Sequence, residues 1–214
     1  MKSESLPDVL TKEEQKKLLS VFNKRYLSSH RNRTLIKLML DTGLRVSEVS
    51  GLKWKRINLS IGKLKVVAGK GNKDRMVNLP CGDITDTVKM LSDWKDRQYK
   101  DLGLQEYVFT TRTGKQLNTR DIRTMVYIYA DKAGIQEAET KYYHNKEGNI
   151  TGEYKEKKVG PHTLRHTYAT DLLRESKNIR LVQKSLGHSD LSTTMIYTHI
   201  VDDEYEDVQR NFRN

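Results

Sequence analysis

Apolar residues near the N-terminus recur at the spacing of an amphipathic helix. The apolar stripe of this first predicted helix consists of Leu18, Leu19 and Phe22. Thr11, followed three residues later by Glu14, has the pattern of a capping box and predicts where the helix begins. A second helix is predicted over about Arg33–Leu40. Gly43 stops it, and a third short helix follows over about Ser47–Trp54.

The pattern then changes to short β-type runs and returns to helical spacing further on. Leu64–Ala68 and Arg75–Leu79 flank the glycine-rich segment GKGNKD, which predicts a β-hairpin. The polar, turn-rich stretch over residues 139–158 is interpreted as a surface hairpin or a long loop. The later predicted helices cover about Asp83–Lys100, Asn118–Lys132, Pro161–Glu175, Arg180–Leu186, Ser192–Tyr197 and Asp202–Arg210. The expected fold class is α+β and mainly α, a helical bundle with a small antiparallel sheet or hairpin on one side.

Composition adds a strong charge signal. The 214 residues suit one domain with a small appendage, and 39 Lys and Arg against 28 Asp and Glu give a net charge of +11. Such a chain favours a polyanionic partner, with nucleic acid the first expectation and an anionic membrane surface the second. The single cysteine, Cys81, excludes an intrachain disulfide and a zinc site built on several thiolates. With no signal peptide pattern and no apolar run of roughly 18 residues, the expected location is cytoplasmic and nucleoid-associated.

The segment HTLRH places an imidazole and a guanidinium on one helix face. His162 and Arg165 are three residues apart, so both can reach one oxyanion. His162 and His166 also have the i, i+4 spacing of zinc proteases, but Thr163 stands where those enzymes need glutamate. No metal site is therefore expected. A basic helix face with a core histidine is the alternative interpretation.

Two further segments carry isolated basic residues in suggestive positions. In TGLRVSEVSGL, Arg45 follows a helix boundary and Glu48 lies three residues on, where its carboxylate can hold the guanidinium fork. A solvated surface ion pair is the alternative. Lys70 lies between glycines at the predicted hairpin tip, where a lysine is usually just solvated. The pattern is not a P-loop, so nucleotide hydrolysis has no support.

The segment SLGHSDLSTTMIYTHI contains His188 after a glycine and Tyr197 nine residues later. Tyr197 could simply pack in a helical core. The polar residues around it, namely Thr193, Thr194, Thr198 and His199, argue for a chemical role instead.

Together, four segments resemble the catalytic domain of tyrosine site-specific recombinases, the phage-integrase and Xer-type family. The resemblance runs from about Leu6 to Ile200 through TGLRVSEVSGLKW, GKGNKDRMVNLP, HTLRHTYATDLL and LGHSDLSTTMIYTH, in that order. It implies that the catalytic residues are Arg45, Lys70, His162, Arg165, His188 and Tyr197, with Glu48 supporting the first arginine. The two arginines would contact the scissile phosphate, and Tyr197 would be the nucleophile.

This resemblance implies a DNA recombinase that cleaves and rejoins strands through a 3′-phosphotyrosine intermediate, with no metal, ATP or other cofactor. His162 is the candidate proton acceptor, Lys70 the candidate general acid, and His188 a hydrogen-bond donor to a non-bridging oxygen. The alternatives are a type IB topoisomerase and a DNA-binding protein with vestigial catalytic positions. The expected DNA-binding cations of the hairpin are Lys63, Lys65, Lys73 and Arg75.

The expected organisation is a linker over 1–10, a catalytic domain over 11–200 with an inserted hairpin at about 139–158, and a helical tail over 201–214. The core-binding domain that usually precedes this catalytic domain is expected to be absent. The inserted hairpin could contact the DNA backbone or a neighbouring protomer, or could be a solvated hairpin. The expected partner is double-stranded DNA, with four protomers joined on two DNA sites through the tail, and a monomer without DNA.

Overall fold

The computed structural model describes residues 7–67, 74–80, 87–145, 147, 149–188, 190–198 and 200–201. Its helices are α1 (Lys12–Ser20), α2 (Leu27–Thr42), α3 (Val46–Ser50), α4 (Thr87–Leu102), α5 (Thr119–Lys132), α6 (Pro161–Ser176) and α7 (Ile179–Leu186), with a 3-10 turn at Trp54–Arg56. Residues 192–198 are also helical. The strands are β1 (Ile57–Asn58), β2 (Lys63–Val66), β3 (Arg75–Asn78), β4 (Ala138–His144) and β5 (Ile150–Lys157). The mainly helical α+β prediction is confirmed.

Local sequence signals explain several helix ends. The Thr11 hydroxyl accepts a hydrogen bond from the Glu14 backbone N–H, and the Glu14 carboxylate accepts one from the Thr11 N–H, as the capping box predicted. Asn118 caps α5 through the Asp121 N–H. The second helix is longer than predicted and begins at Leu27, whereas the third is shorter, because it ends at Ser50 before the 3-10 turn.

Two small antiparallel sheets flank the helices. β1, β2 and β3 form one sheet in that order, and β4 pairs with β5 in the other, with an irregularity between Tyr143 and His144. The predicted hairpin strands are therefore confirmed, and β1 is an additional strand. The hairpin tip with Lys70 and Lys73, and the tail beyond residue 201, lie outside the described residues.

The core has two parts that meet at α6. The larger part includes the buried faces of α2, α4 and α5 and the inner face of the three-stranded sheet. The smaller part joins α6, α7 and the segment around residue 197, and consists of Ala169, Leu173, Val182, Leu186, Tyr197 and Ile200. The end of α6 that carries the HTLRH motif therefore faces both the N-terminal helices and the last helical segment.

Gly43 allows α2 and α6 to approach closely. It ends α2 in a left-handed conformation with φ of 60°. A Cβ at this position would lie 2.3 Å from Cδ1 of Tyr168 on α6. Glycine at position 43 is thus needed both to end α2, as the sequence predicted, and to let α2 pack against α6.

We expect Gly43→Ala to destabilise the fold by roughly 2 kcal/mol or more, because it adds backbone strain and a clash with an aromatic ring. Gly134→Ala is the matched control, since Gly134 also has a positive φ but has open space around its Cβ position. That control should cost only about 1 kcal/mol. Denaturant unfolding measures both, and equal losses would contradict the packing argument.

Candidate active site

Arg165 lies at the centre of the site and is held by backbone carbonyls. Its side chain projects from α6, where it is buried between the end of α2 and the end of α7. Nη1 donates to the Gly43 carbonyl, and Nη2 donates to the Leu186 carbonyl at 2.9 Å. Nη2 also lies 3.0 Å from Nε2 of His188. These contacts orient a guanidinium group that the helical spacing placed on one face with His162 and that the family resemblance implied as a contact of the scissile phosphate.

Arg45 occupies the position just before α3 and contacts Glu48. The Arg45 backbone N–H donates to Oε2 of Glu48 at 2.7 Å, and Nη1 donates to Oε1 at 3.2 Å. The Arg45 side chain is 35% exposed, whereas that of Glu48 is only 11% exposed. The pair predicted from the i, i+3 spacing is therefore present, but it is a half-buried pair rather than a solvated surface pair.

Arg75 does not have the outward position expected of a DNA-binding cation. Its side chain is 8% exposed and donates from Nη1 and Nη2 to the Glu48 carboxylate at 2.7 and 2.9 Å. The reason is strand register: Arg75 pairs with Val66 and shares the inner face of the sheet with Val77. Lys63 and Lys65 lie on the opposite face and are exposed, as expected. Lys65 forms an ion pair with Asp74 at 3.1 Å.

The Glu48 carboxylate is charged because two guanidinium groups surround it. Burial by itself would raise its pKa, but the hydrogen bonds from Arg75 and Arg45 outweigh that effect and hold the pKa of Glu48 below its usual value. Glu48 thus supports Arg45, as the family resemblance implied, and also binds Arg75, which the sequence analysis did not anticipate.

His188 follows Gly187 at the end of α7, and both of its ring nitrogens have partners. Nε2 faces Arg165, and Nδ1 lies 3.0 Å from Oγ1 of Thr194. A guanidinium group can only donate, so Nε2 accepts and the proton is assigned to Nδ1, which donates to Thr194. Burial, followed by the charges of Arg165, Arg45 and Arg75, lowers the pKa of His188 to about 4. The ring is therefore neutral at neutral pH.

Tyr197 is buried against His166 rather than His162. Its side chain is 2% exposed and belongs to the smaller part of the core. The hydroxyl lies 2.9 Å from Nδ1 of His166, with the two rings 5.7 Å apart. Burial raises the pKa of Tyr197, and burial followed by the charges of His162 and Arg165 lowers the pKa of His166 to about 4. A protonated phenol therefore donates to a neutral imidazole.

His162 is exposed near the start of α6, and its ring lies 6.5 Å from that of His166. The spacing of His162 and His166 suggested only a metal site, so the contact of His166 with Tyr197 was not predicted. Among the described residues, no group of three or more His, Cys, Asp or Glu side chains could hold a metal ion. The i, i+4 spacing brings the two histidines near each other on α6, but only His166 contacts Tyr197.

The described groups form a cationic pocket with few acids to balance it. Burial, followed by the charge of Arg45, lowers the pKa of Arg165 to about 10. Arg165 also contributes to the lowered pKa values of both neighbouring histidines. An anion entering this pocket would relieve the repulsion and would be held by donors that are already oriented.

The two histidines give the fold a pH dependence whose sign follows from their lowered pKa values. Between about pH 6.5 and pH 4 the unfolded chain binds protons that folded His166 and His188 do not, so stability is lost as the pH falls through this window. We expect roughly 1 kcal/mol from each ring, discounted for partial exposure.

Thermal melting of His166→Gln and His188→Gln between pH 7 and pH 4.5 tests this dependence. Each variant should lose less stability on acidification than the unchanged chain. His162→Gln, at an exposed position on the same helix, is the control. Melting curves that shift in parallel for all four proteins would contradict the prediction.

Comparison with known proteins identifies a family that matches most of the chain. Residues 8–204 match the phage integrase family. The tyrosine recombinase XerD of Staphylococcus saprophyticus is 37% identical over 196 residues, covering 91% of this chain and 59% of that protein. The tyrosine recombinase XerC of Halalkalibacterium halodurans is 34% identical, covering 96% of this chain and 62% of that protein. The chain thus spans about three fifths of the length of these curated relatives.

Solved structures of related proteins have the same fold. The crystal structure of XerA recombinase matches with a TM-score of 0.75 and 30% identity, over 98% of this chain and 66% of that chain. The XerH site-specific recombinase, bound to its palindromic difH substrate after cleavage, matches with a TM-score of 0.73 and 27% identity, over 98% of this chain and 54% of that chain. None of the helices in the described part of the chain has both the length and the apolar character that a bilayer crossing requires. The motifs, the fold and these relatives together show that the chain belongs to the phage integrase family and is a tyrosine-recombinase catalytic domain.

Proposed function

We propose that this chain is a site-specific DNA recombinase that cleaves and rejoins strands through a covalent 3′-phosphotyrosine intermediate. The observation that carries the proposal is a buried, carbonyl-oriented Arg165 with Arg45 close enough to depress its pKa, next to the helical segment that holds Tyr197. A net charge of +11 suits a DNA substrate. The XerH relative was crystallised with its DNA substrate, which supports the same substrate class here.

In the proposed reaction, Arg45 and Arg165 bind the non-bridging oxygens of the scissile phosphate. Negative charge grows on these oxygens as the pentavalent transition state forms, so donors fixed in advance stabilise it more than the ground state. Guanidinium groups supply this stabilisation without a metal ion or ATP. His188 joins them as a hydrogen-bond donor once the phosphate has displaced Arg165 from Nε2 and the ring proton has moved from Nδ1 to Nε2, with the Thr194 hydroxyl then donating to Nδ1.

Tyr197 is the proposed nucleophile. A bond forms between its phenolic oxygen and phosphorus, and the bond from phosphorus to the 5′ oxygen breaks, so the energy of the linkage is kept for rejoining. Once the phenol has left its hydrogen bond with His166, His162, exposed at the start of α6, is the proposed acceptor of the phenol proton. Lys70 is the proposed donor to the leaving 5′ oxygen. Since Tyr197 is 2% exposed, residues 192–198 must shift before the phenol can attack.

The proposed DNA-binding surface includes the outer face of the three-stranded sheet. Lys63 and Lys65 line a shallow groove there together with Lys55, Arg56 and Lys95. Arg56 and Lys65 also line the smaller pocket beside Glu48, so the groove continues toward the candidate active site. Lys73 stays a proposed DNA contact. Arg75 is no longer proposed as a DNA contact, because its guanidinium group is buried.

The proposed assembly is four protomers on two DNA sites, joined through residues 201–214, with a monomer in the absence of DNA. Strand exchange supports this stoichiometry, because two duplexes must each be cut on both strands. The inserted hairpin of β4 and β5 is proposed to contact the DNA backbone or a neighbouring protomer.

A covalent trapping experiment tests the function. The chain is incubated with a library of duplexes that carry randomised sequence upstream of a single nick, so that cleavage releases a short fragment and prevents rejoining. We expect a DNA adduct that survives denaturation, forms in EDTA, and maps by mass spectrometry to the peptide containing Tyr197. An adduct on another residue, or one that EDTA abolishes, would overturn the proposed mechanism.

A further inference from the structure

We propose that Arg75 is a positioning residue that joins Arg45 and the His188 turn into one site. This inference rests on the proposed cleavage of DNA, but it concerns a residue that contacts no substrate. Arg75 is the point at which strand β3, helix α3 and the end of helix α7 are linked by hydrogen bonds.

The first link runs from Arg75 to Arg45 through Glu48. Oε1 of Glu48 accepts from Nη1 of Arg75 at 2.7 Å and from Nη1 of Arg45 at 3.2 Å. Arg75 therefore forms the shorter, two-pronged contact, and its charge compensates the buried carboxylate. No other hydrogen bond from the Arg45 side chain to the described residues is present, so most of its donors are left for a phosphate. Without Arg75, the carboxylate would draw Arg45 further toward itself.

The second link runs from Arg75 to the end of α7. Nε of Arg75 donates to the Ser185 carbonyl at 3.0 Å, and the next carbonyl, of Leu186, accepts from Arg165. Carbonyl groups in the last turn of a helix have no partner within the helix, and their partial negative charge favours cations. Two arginines of the pocket thus cap the helix directly before His188.

Close packing strengthens the second link. Gly187 has a φ of 67°, and a Cβ there would lie 3.0 Å from Cδ of Arg75. Three guanidinium nitrogens of Arg75 serve three acceptor atoms on two elements. A lysine keeps the charge but has no planar fork, so it cannot reproduce this geometry.

The experiment compares Arg75→Lys with Arg123→Lys, the same substitution at an exposed position on α5. DNA affinity is measured at several salt concentrations, and the single-turnover cleavage rate is measured at saturating DNA. For Arg75→Lys we expect a cleavage rate lower by about 10-fold or more, with DNA affinity and its salt dependence unchanged. Arg123→Lys should match the unchanged chain in both.

A double-mutant cycle with Glu48→Gln separates positioning from general destabilisation. If Arg75 acts through Glu48, the double variant should cleave about as fast as the slower single variant. Multiplying effects would overturn the proposal, as would a normal cleavage rate at saturating DNA. In a third variant, Arg75→Gln, which removes the charge that lysine keeps, a salt slope reduced by about one would identify a phosphate contact instead.

Two further readouts keep the test decisive. Thermal melting shows whether Arg75→Lys is folded. If it is not, the test is made with Glu48→Gln alone, and a normal cleavage rate in that variant overturns the proposal. If the unchanged chain forms no adduct at all, the proposed function is wrong, and the role proposed for Arg75, which rests on it, is wrong with it.

Discussion

Tyr197→Phe is expected to bind DNA as the unchanged chain does and to leave no detectable covalent adduct. The substitution removes one oxygen, which is the proposed nucleophile, so the adduct yield should fall by at least about 10⁴-fold. The ring still fills its place among Leu173, Leu186 and Ile200 in the smaller part of the core. Only the hydrogen bond to His166 is lost, at a cost of roughly 1 kcal/mol.

Gel electrophoresis under denaturing conditions measures the adduct, and native gels measure DNA binding. Tyr99→Phe, at an exposed position on α4, is the matched control and should form the adduct normally. An undiminished adduct in Tyr197→Phe would assign the nucleophile to another residue. Loss of folding in that variant would mean that the His166 contact contributes far more stability than a single neutral hydrogen bond.

Arg165→Ala should have the second largest effect and should change two properties together. Cleavage at saturating DNA should fall by about 10³-fold or more, because a donor fixed against the transition state is lost. Stability should fall by roughly 2–4 kcal/mol, because the buried carbonyls of Gly43 and Leu186 lose their donors and a cavity opens.

Arg165→Lys and Arg45→Ala separate these two effects. Lysine keeps the charge but cannot serve both carbonyls and a phosphate, so cleavage should still fall by about 10²-fold. Removal of Arg45 should reduce cleavage strongly, because a proposed phosphate contact is lost. Since its side chain is 35% exposed, the free energy of unfolding should change little. Single-turnover kinetics and denaturant unfolding measure the two properties. A stable Arg165→Ala protein that cleaves normally would remove this residue from the site.

The sequence predicted features that depend on neighbours along the chain. The capping residues Thr11 and Asn118, the stop at Gly43 and the Arg45–Glu48 pair all follow from spacings of a few residues, and the structure contains each of them. The approximate extents of most helices followed from apolar periodicity. These signals involve residues that are close in the sequence, so they can be recognised without the structure.

The features that the sequence analysis missed depend on contacts between distant elements. Arg75 was expected to bind DNA together with the other cations of the hairpin, but the pairing of β3 with β2 turns it inward. Val77, two residues on and apolar, carried that information, since alternate residues of a strand share a face. The contact of Tyr197 with His166 joins residues 31 positions apart, and no local pattern encodes it.

The burial of Tyr197 has a consequence for how this protein can be improved. A side chain that is 2% exposed stabilises the folded chain, whereas the proposed reaction requires the same side chain to leave the core. A substitution that improved the packing around it would raise the melting temperature and at the same time slow the departure of the phenol from the core. Substitutions that raise thermal stability at this residue are therefore expected to lower the rate of cleavage.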